Sequence, residues 1–198
     1  MDPDLFRDLL KTRTSEDIVQ ELLYDPSPFC YYDNNESYLK LRKKICEKFQ
    51  IHPQNFTIVG SAKIGFSLDP KNHPRVFQNN SDIDIVLVSE DLFQKIWFDL
   101  LKIEKEINEG RLRLDAVRAH NFNYIKKLIF QGWIRMDVIY ETFDFARDWW
   151  DFFNCLSREE FDSAHEIHAA VFRTWMHASI YYEESIFELR GLYEGNGE

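Results

Sequence analysis

The sequence predicts an α+β fold in which a small mixed sheet is flanked by helices. Two observations carry this prediction. Short apolar runs bounded by turn residues occur at Phe56–Val59 and Ile83–Val88, and stretches with apolar residues at helical spacing surround them. We expect helices before the first strand and a helical tail at the C-terminus. With 198 residues, the chain is long enough for one sizeable core.

The first third of the chain is expected to be helical. Residues 4–11 have apolar side chains at helical spacing, and residues 14–17 have the composition of a helix start. The Asp-Pro-Ser-Pro stretch at residues 25–28 ends that second helix, because proline cannot continue it. A third helix is expected to begin at Asn34 and to reach Phe49.

The central segments are predicted to alternate between strands and helices. The strand at Phe56–Val59 leads into a Gly-Ser turn and a short helix over residues 61–67. Ser89 is expected to cap a helix that follows the second strand and runs to about Ile107. A further helix is expected between residues 112 and 130, and a third strand over residues 134–140.

The C-terminal segment is predicted to be helical throughout. Apolar residues at positions 167, 171, 175, 180 and 187 fit one long helix over residues 165–192. We therefore expect the sheet and the N-terminal helices to form one unit over residues 1–142. An acidic helical region over residues 143–198 is expected to pack on that unit.

Charge is distributed unevenly along the chain. The net charge is −10, and residues 141–198 alone hold 13 Asp and Glu against four Arg. Neither half offers the strongly basic face that binds long nucleic acid, so a small nucleotide or a protein is the better-fitting partner. A basic cluster over residues 40–48 is either a solvated helix face or a patch for phosphates.

Composition also predicts a cytoplasmic protein without membrane insertion. No apolar run approaches the ~20 residues that span a bilayer. The N-terminus is acidic and lacks the basic and apolar regions of a signal peptide. Cys30, Cys46 and Cys155 are odd in number and widely spaced, which favours a reducing compartment and disfavours a zinc site.

Three carboxylates stand in settings that point to metal binding. Asp82 and Asp84 open the second strand, and residues two apart on a strand share a face. Asp137 lies in an apolar stretch, where a charge is costly unless it is paired or metal-bound. Carboxylates placed side by side on adjacent strands can hold Mg²⁺, with Mn²⁺ as the alternative, in a phosphoryl-transfer site.

These residues resemble the signature of the nucleotidyltransferase superfamily that includes DNA polymerase beta. Its Gly-Ser turn matches Gly60 and Ser61, its Asp-x-Asp pair matches Asp82 and Asp84, and its third Asp matches Asp137. The resemblance implies an enzyme that transfers nucleotides from nucleoside triphosphates, ribo or deoxy, to a hydroxyl and releases pyrophosphate. The segment between the turn and the pair is longer than in compact members. We interpret its polar residues 67–80 as a loop over the active site.

The resemblance also implies roles for individual residues. Asp82 and Asp84 would hold both metal ions, and Asp137 would bind the catalytic one and help to deprotonate the attacking hydroxyl. Ser61 and the turn N–H groups would bind the β and γ phosphates, with Lys63 as a further phosphate contact.

Two stretches of the C-terminal segment raise further possibilities. Arg173, His177, Tyr181 and Ser185 are spaced four apart and share a helix face. Arg173 and Tyr181 are the candidates for a cation and a stacking ring at the nucleotide, and an ordinary exposed face is the alternative. His165, Glu166 and His168 have metal-ligand spacing, but no further Asp or Cys nearby in the sequence completes a site.

Three functions remain open from the sequence. By resemblance to small bacterial enzymes of anti-phage (antiviral) defence, the first is synthesis of a short oligonucleotide or signalling nucleotide for an effector protein encoded nearby. The second is a protein-AMPylating antitoxin that docks its toxin through the acidic tail and the aromatic residues 149–153. The third is a nucleotide-binding module with an inactive site.

Overall fold

Short apolar runs pair into a sheet, and the segments between them form helices, so the fold is α+β. The structure is a computed structural model that describes residues 2–24, 27–69, 74–138, 144–161 and 164–195. Its helices are α1 (Pro3–Thr12), α2 (Ser15–Tyr24), α3 (Asn35–Phe49), α4 (Gly60–Ile64), α5 (Glu90–Asn108), α6 (Ala116–Phe130), α7 (Asp144–Phe161) and α8 (Trp175–Gly195). Its strands are β1 (Phe56–Val59), β2 (Ile83–Val88), β3 (Trp133–Arg135) and β4 (Ile167–Phe172).

Side-chain caps begin two of these helices at the residues that the sequence indicates. The Asn34 side chain accepts a hydrogen bond from the Ser37 N–H at 3.1 Å at the start of α3. Ser89 Oγ accepts one from the Leu92 N–H at 3.2 Å at the start of α5. Each bond satisfies an N–H that has no partner within its own helix. The predicted starts of α3 and α5 are thereby confirmed.

The four strands form one mixed sheet in the order β1-β2-β4-β3. The pairs β1–β2 and β4–β3 are antiparallel, whereas β2 and β4 are parallel. The C-terminal ends of β1 and β3 therefore lie beside the N-terminal ends of β2 and β4, at the same end of the sheet. The predicted mixed sheet is confirmed, and β1 and β2 have the expected bounds.

Each face of the sheet is covered by a different set of helices. On one face, Ile83, Ile85 and Leu87 of β2 pack in a core with residues of α3, α5, α6 and α7. On the other face, Val86 and Val88 pack in a core with residues of α1, α2 and α8. Because side chains alternate along a strand, Asp84 lies on the second face, toward α8. None of the helices in the described ranges combines the length and the apolar character needed to cross a membrane.

The prediction of one long helix over residues 165–192 is wrong in its first part, since Ile167–Phe172 forms strand β4. Ile167 and Val171 are four apart, which fits a helix, but Ala169 between them also completes an alternating strand pattern. Residues 167–172 form a strand rather than a helix because they lie between β2 and β3, where they gain hydrogen-bonded partners on both sides. The C-terminal region is therefore not purely helical, and residues 1–142 and 143–198 share one sheet.

The predicted third strand over residues 134–140 is shorter than expected. Strand β3 spans Trp133–Arg135 and gives way to a 3₁₀ turn at Met136–Val138, so Asp137 lies just past the strand. Residues 139 and 140 lie outside the described part of the chain. Met136 is buried in the core, and Asp137 follows it within the turn.

The aromatic cluster of residues 149–153 belongs to the core. Trp149 and Phe153 are buried, and the Phe49 ring packs against them with centroid distances of 4.6 Å and 5.8 Å. Phe152 meets the same Phe49 ring edge-on at 5.5 Å, and Lys48 Nζ lies 5.6 Å from the Phe152 centroid. The surface that the antitoxin hypothesis assigned to docking is thus mostly buried against α3.

The basic residues of α3 are paired with neighbouring groups. Lys40 Nζ lies 2.7 Å from a Glu36 carboxylate oxygen, and Lys44 Nζ lies 2.6 Å from one of Glu160. These pairs occur on exposed side chains and each contributes little to stability. They support the interpretation of this cluster as an ordinary solvated helix face.

Candidate functional site

A cavity of about 450 Å³ opens at the edge where the four strand ends meet. The sheet side of the cavity is lined by Gly60, Ser61, Asp82, Asp84, Arg135, Asp137 and His168, and the α8 side by Tyr181, Tyr182, Ser185 and Glu188. The cavity lies on the second face of the sheet, and its volume suits a small ligand. Most of the residues that the sequence singled out therefore converge on one place.

The Gly60 turn approaches Asp84 closely. Gly60 has a φ of +63°, in the left-handed region that favours glycine. A Cβ at this position would lie 2.8 Å from Asp84 Oδ2, so a larger residue would collide with the carboxylate. Val59 and Asp84 are register partners across β1 and β2, which fixes this approach. Helix α4 is only five residues long, and Gly60 and Ser61 of its first turn line the cavity.

Asp82 and Asp84 stand in different environments although both line the cavity. Asp82 is exposed and precedes β2, whereas Asp84 lies within the strand on the cavity floor. Burial raises the pKa of the Asp84 carboxyl above its ordinary value of 3.8; His168 opposes this shift and Asp82 adds to it. The Asp84 carboxylate is therefore a stronger base than an ordinary aspartate.

Strand β4, which carries His168, separates Asp84 from Asp137. His168 on β4 is the register partner of Asp84 on β2, and β3 lies on the far side of β4. His168 Nδ1 lies 4.0 Å from Asp137 Oδ2. The expectation that all three carboxylates occupy adjacent strands is therefore wrong. Strand β4, with the His168 imidazole, lies between Asp84 on β2 and the segment that carries Asp137.

Asp137 is held by Arg135, a residue that the sequence did not single out. Arg135 Nε donates to Asp137 Oδ1 at 2.9 Å, and a second guanidinium N–H donates to Oδ2. This bidentate pair raises the pKa of Arg135, although burial acts in the opposite direction. The detectable signal is the Arg-x-Asp spacing at the end of an apolar run. This spacing places the Arg135 and Asp137 side chains on the same side of the chain.

Three potential ligand groups cluster beside Asp84. One ligand atom from each of Asp82, Glu166 and His168 lies within 4.8 Å of the other two. His168 Nε2 is 3.5 Å from Glu166 Oε2. The sequence interpretation treated Glu166 and His168 as helical and found no third ligand. On a strand they share a face, and the parallel pairing with β2 supplies Asp82.

Helix α8 closes the cavity with tyrosines. The Tyr181 ring packs 4.6 Å from that of Trp133 and 5.8 Å from that of Phe172, measured between centroids. Burial raises the pKa of Tyr181 and that of Tyr182. Both phenols therefore stay protonated at neutral pH and can donate hydrogen bonds to a ligand. Tyr181 lies in the cavity as the sequence predicts, and Ser185 of the same stripe lies beside it.

Two predicted substrate contacts do not line the cavity. Arg173 follows β4 at the opposite end of the sheet, where its guanidinium donates to Glu90 Oε1 at 2.6 Å and 3.1 Å. Arg173 directly follows Phe172, a lining residue at the end of β4, but is not itself among the lining residues. Lys63 is buried on α4 and is not among the lining residues. The cations that do line it are Arg75 and Arg135.

The polar segment 67–80 borders the cavity as expected. The Ser67 N–H donates to the Arg75 carbonyl at 2.9 Å, and the Phe77 N–H donates to the Gly65 carbonyl at 2.8 Å. These bonds pair residues 65–67 with residues 75–77, and residues 70–73 lie outside the described chain. Leu68, Asp69 and Arg75 contribute to the cavity wall.

Carboxylates outnumber cations in the cavity. Asp69, Asp82, Asp84, Asp137 and Glu188 line it, against Arg75 and Arg135 and the ionisable His168. A polyanion entering alone would be repelled, whereas a divalent cation would be attracted and would neutralise the excess. The oxygen donors suit Mg²⁺ and Mn²⁺, and the residues present therefore fit a divalent metal.

Comparison with known proteins gives no matching family model, no matching curated protein and no matching solved structure. The interpretation of the cavity depends on its own residues. Those residues combine a glycine turn, a carboxylate pair, a histidine cluster and a bidentate Arg–Asp pair around one space.

Proposed function

We propose that this protein is a metal-dependent nucleotidyltransferase, which transfers a nucleotide from a nucleoside triphosphate to a hydroxyl and releases pyrophosphate. One observation carries the proposal: the Gly60-Ser61 turn lies directly against Asp84 of the Asp-x-Asp pair, at the edge of a cavity of about 450 Å³. A turn that presents backbone N–H groups beside paired carboxylates is suited to a metal-bound triphosphate.

The residues of the cavity divide the work of such a transfer. Ser61 and the turn N–H groups bind phosphate oxygens, and Arg135 neutralises charge on the opposite side. Asp82 and Asp84 would hold a divalent ion, which when bound would screen the phosphates and acidify the attacking hydroxyl. Tyr181 and Tyr182 donate hydrogen bonds to the sugar or the base.

Incubation of the purified chain with labelled nucleoside triphosphates tests the proposal. Each of the eight ribo- and deoxyribonucleotides is supplied with Mg²⁺ or Mn²⁺ and no acceptor, and products are resolved by gel and mass spectrometry. We expect a ladder or a new small nucleotide. Asp82→Ala/Asp84→Ala should abolish it, and Arg173→Gln should not, since Arg173 pairs with Glu90 outside the cavity. A double variant with full nucleotide incorporation would exclude this site.

The acceptor is the second unknown. A role in anti-phage defence beside an effector, with a short oligonucleotide or signalling nucleotide as the product, remains a proposal from resemblance. The protein-AMPylating alternative would dock its toxin mainly through the acidic tail, because Trp149 and Phe153 of the aromatic cluster are buried. Label transferred to a lysate protein, with no small product, would support that alternative.

Binding without transfer is favoured by one observation. Asp137 is tied to Arg135 and separated from Asp84 by β4, so the three carboxylates do not form one compact set. An inactive nucleotide-binding module would retain triphosphate affinity in equilibrium dialysis and would show no product in the incorporation assay. An active enzyme gives both signals, and Asp84→Ala removes the second.

A further inference from the structure

We propose that this chain associates head to tail with further copies of itself, through two apolar surfaces on opposite faces of the sheet. One surface is the α8 stripe, which consists of Met176, Ile180 and Phe187. The other is the α5–α6 groove, a concave surface between those two helices. The inference goes beyond the proposed function and does not depend on it, because neither surface includes a residue of the cavity lining.

The α8 stripe is a line of large apolar side chains that face solvent. Ile180 follows Met176 by four residues and Phe187 follows Ile180 by seven, a spacing that puts all three on one side of a helix. Met176 is 68% exposed and Phe187 is 71% exposed. The opposite side of α8 packs on the sheet through buried residues that include Ala178 and Ile186. About 16 Å of apolar helix surface is thereby left in water, which is typical of an interaction site.

The α5–α6 groove is a hollow of about 120 Å³ with an apolar floor. Trp97 lines it from α5, and Phe122 and Ile129 line it from α6. Two side chains next to these lining residues extend the apolar surface. The Phe98 ring lies parallel to that of Trp97 at a centroid distance of 6.2 Å, and Phe130 is 93% exposed. A groove of this kind accepts the apolar face of an amphipathic helix.

The stripe and the groove of one chain cannot meet. Helix α5 packs on the first face of the sheet through Phe93, Ile96 and Leu100, whereas α8 packs on the second face. The stripe of one copy can therefore reach only the groove of another copy. Because the two surfaces differ, each dimer keeps one unused stripe and one unused groove. Association then continues into a closed ring or an open filament.

Charge favours this pairing over contact between two stripes. Residues 94–105 and 119–130, which carry the groove, hold five Lys against two acidic residues. Residues 175–192 of α8 hold three Glu against one Arg. Glu183 and Glu184 flank the stripe and make no ion pair with the residues that the structure describes. Contact between two stripes would bring these glutamates together, whereas the groove surrounds them with lysines.

The molar mass of the full chain in solution tests the inference. Sedimentation velocity and light scattering are measured over about 10 to 300 μM, the range in which modest interfaces form. We expect the mean mass to rise above the 23.8 kDa of the monomer. Phe187→Glu in the stripe and Leu101→Glu in the groove should each weaken association by about tenfold or more. Val117→Glu, on an exposed apolar residue of α6 outside the groove lining, is the matched control and should associate like the wild type.

A mixture of the two variants separates this inference from other modes of association. Phe187→Glu retains its groove and Leu101→Glu retains its stripe, so an equimolar mixture should form a heterodimer and nothing larger. Circular dichroism checks that both variants are folded, and Ile180→Glu or Phe130→Glu replaces one that is not.

Three results would overturn the inference. The first is a wild-type chain that stays monomeric over the whole range; binding of anionic vesicles by that monomer would assign the stripe to a lipid surface instead. The second is self-association that persists in Leu101→Glu, since the stripe would then pair without the groove. The third is a mixture of the folded variants that yields no heterodimer.

Discussion

Asp84 and His168 occupy the same register position on the parallel strands β2 and β4, so a half-buried carboxylate and an imidazole stand side by side in the cavity floor. Gly60 lies against Asp84 at one end of this row, and Asp137 lies beside His168 at the other end. The row runs across the sheet through residues from four separate segments. Its chemistry depends on how those segments pair, and each of the following predictions tests one part of it.

Gly60→Ala should disrupt the turn beside Asp84. Alanine is strained at a φ of +63°, and its Cβ would lie 2.8 Å from Asp84 Oδ2. We expect a loss of at least about 2 kcal/mol in the free energy of unfolding, together with loss of nucleotide incorporation. Gly110→Ala is the matched control: its φ is +72° and nothing lies within 4 Å of the added Cβ. It should cost about 1 kcal/mol and retain activity. Equal losses in the two variants would mean that contact with Asp84 is unimportant.

Asp84→Asn should stabilise the metal-free protein at neutral pH. The folded state raises the pKa of Asp84 above 3.8, so it binds this proton more tightly than the unfolded state does. The free energy of unfolding therefore falls as pH rises from about 3.8 through the raised pKa, and stays low above it. Removing the charge should raise Tm by a few degrees at pH 7, on the order of 1 kcal/mol, with little gain near pH 3.

The control for this variant is Asp82→Asn, because Asp82 is exposed and its removal should change Tm little. Excess Mn²⁺ should reverse the order of stability, since a ligand that binds the folded state stabilises it by mass action. Wild type should gain more than Asp84→Asn under these conditions. Thermal unfolding at several pH values, with chelator or with metal, measures both effects.

Arg135→Gln and Arg173→Gln should differ in their effect on nucleotide transfer. Arg135 lines the cavity and positions Asp137, whereas Arg173 pairs with half-exposed Glu90 at the other end of β4. We expect Arg135→Gln to lower kcat/KM by at least about tenfold, and Arg173→Gln to change it less than about twofold. Steady-state kinetics provide the comparison. A larger loss in Arg173→Gln would restore the substrate contact that the helix pattern suggested.

Arg75→Gln should weaken triphosphate binding more than it slows the chemical step. Arg75 is an exposed residue of segment 67–80 and lines the cavity. It makes no ion pair with the described residues. Removing its charge should raise KM about three- to tenfold and leave kcat within about twofold, since the residue lies at the entrance. Arg111→Gln, whose partner is Glu109 on the far side of α5, should leave both constants unchanged. A selective fall in kcat would assign Arg75 to the reacting phosphate instead.

Much of this arrangement could be predicted from local pattern. Strands β1 and β2 follow from apolar runs bounded by turns, and the convergence of Gly60, Asp82 and Asp84 follows from their positions at strand ends. Helix starts at Asn34 and Ser89 follow from cap chemistry. All of these features are decided by residues close together in the sequence.

The remaining features depend on non-local pairing. Residues 167–172 satisfy helical and strand spacing equally, and only the free edges of β2 and β3 select the strand. The same choice brings His168 into the cavity lining and places Arg173 beyond the last residue of β4. The apolar run around Asp137 predicts a longer strand, whereas β3 ends at Arg135 and Asp137 lies in a 3₁₀ turn.

The position of β4 also determines when the protein can finish folding during synthesis. Ribosomes release a chain from its N-terminus, so β1, β2 and β3 emerge well before residues 167–172. Until then, β2 and β3 each expose an unpaired edge, the kind of surface through which nascent chains associate wrongly. The cavity is consequently among the last parts to form. A ribosome stalled before residue 167 would hold a chain that has its carboxylate pair and its glycine turn but no closed sheet.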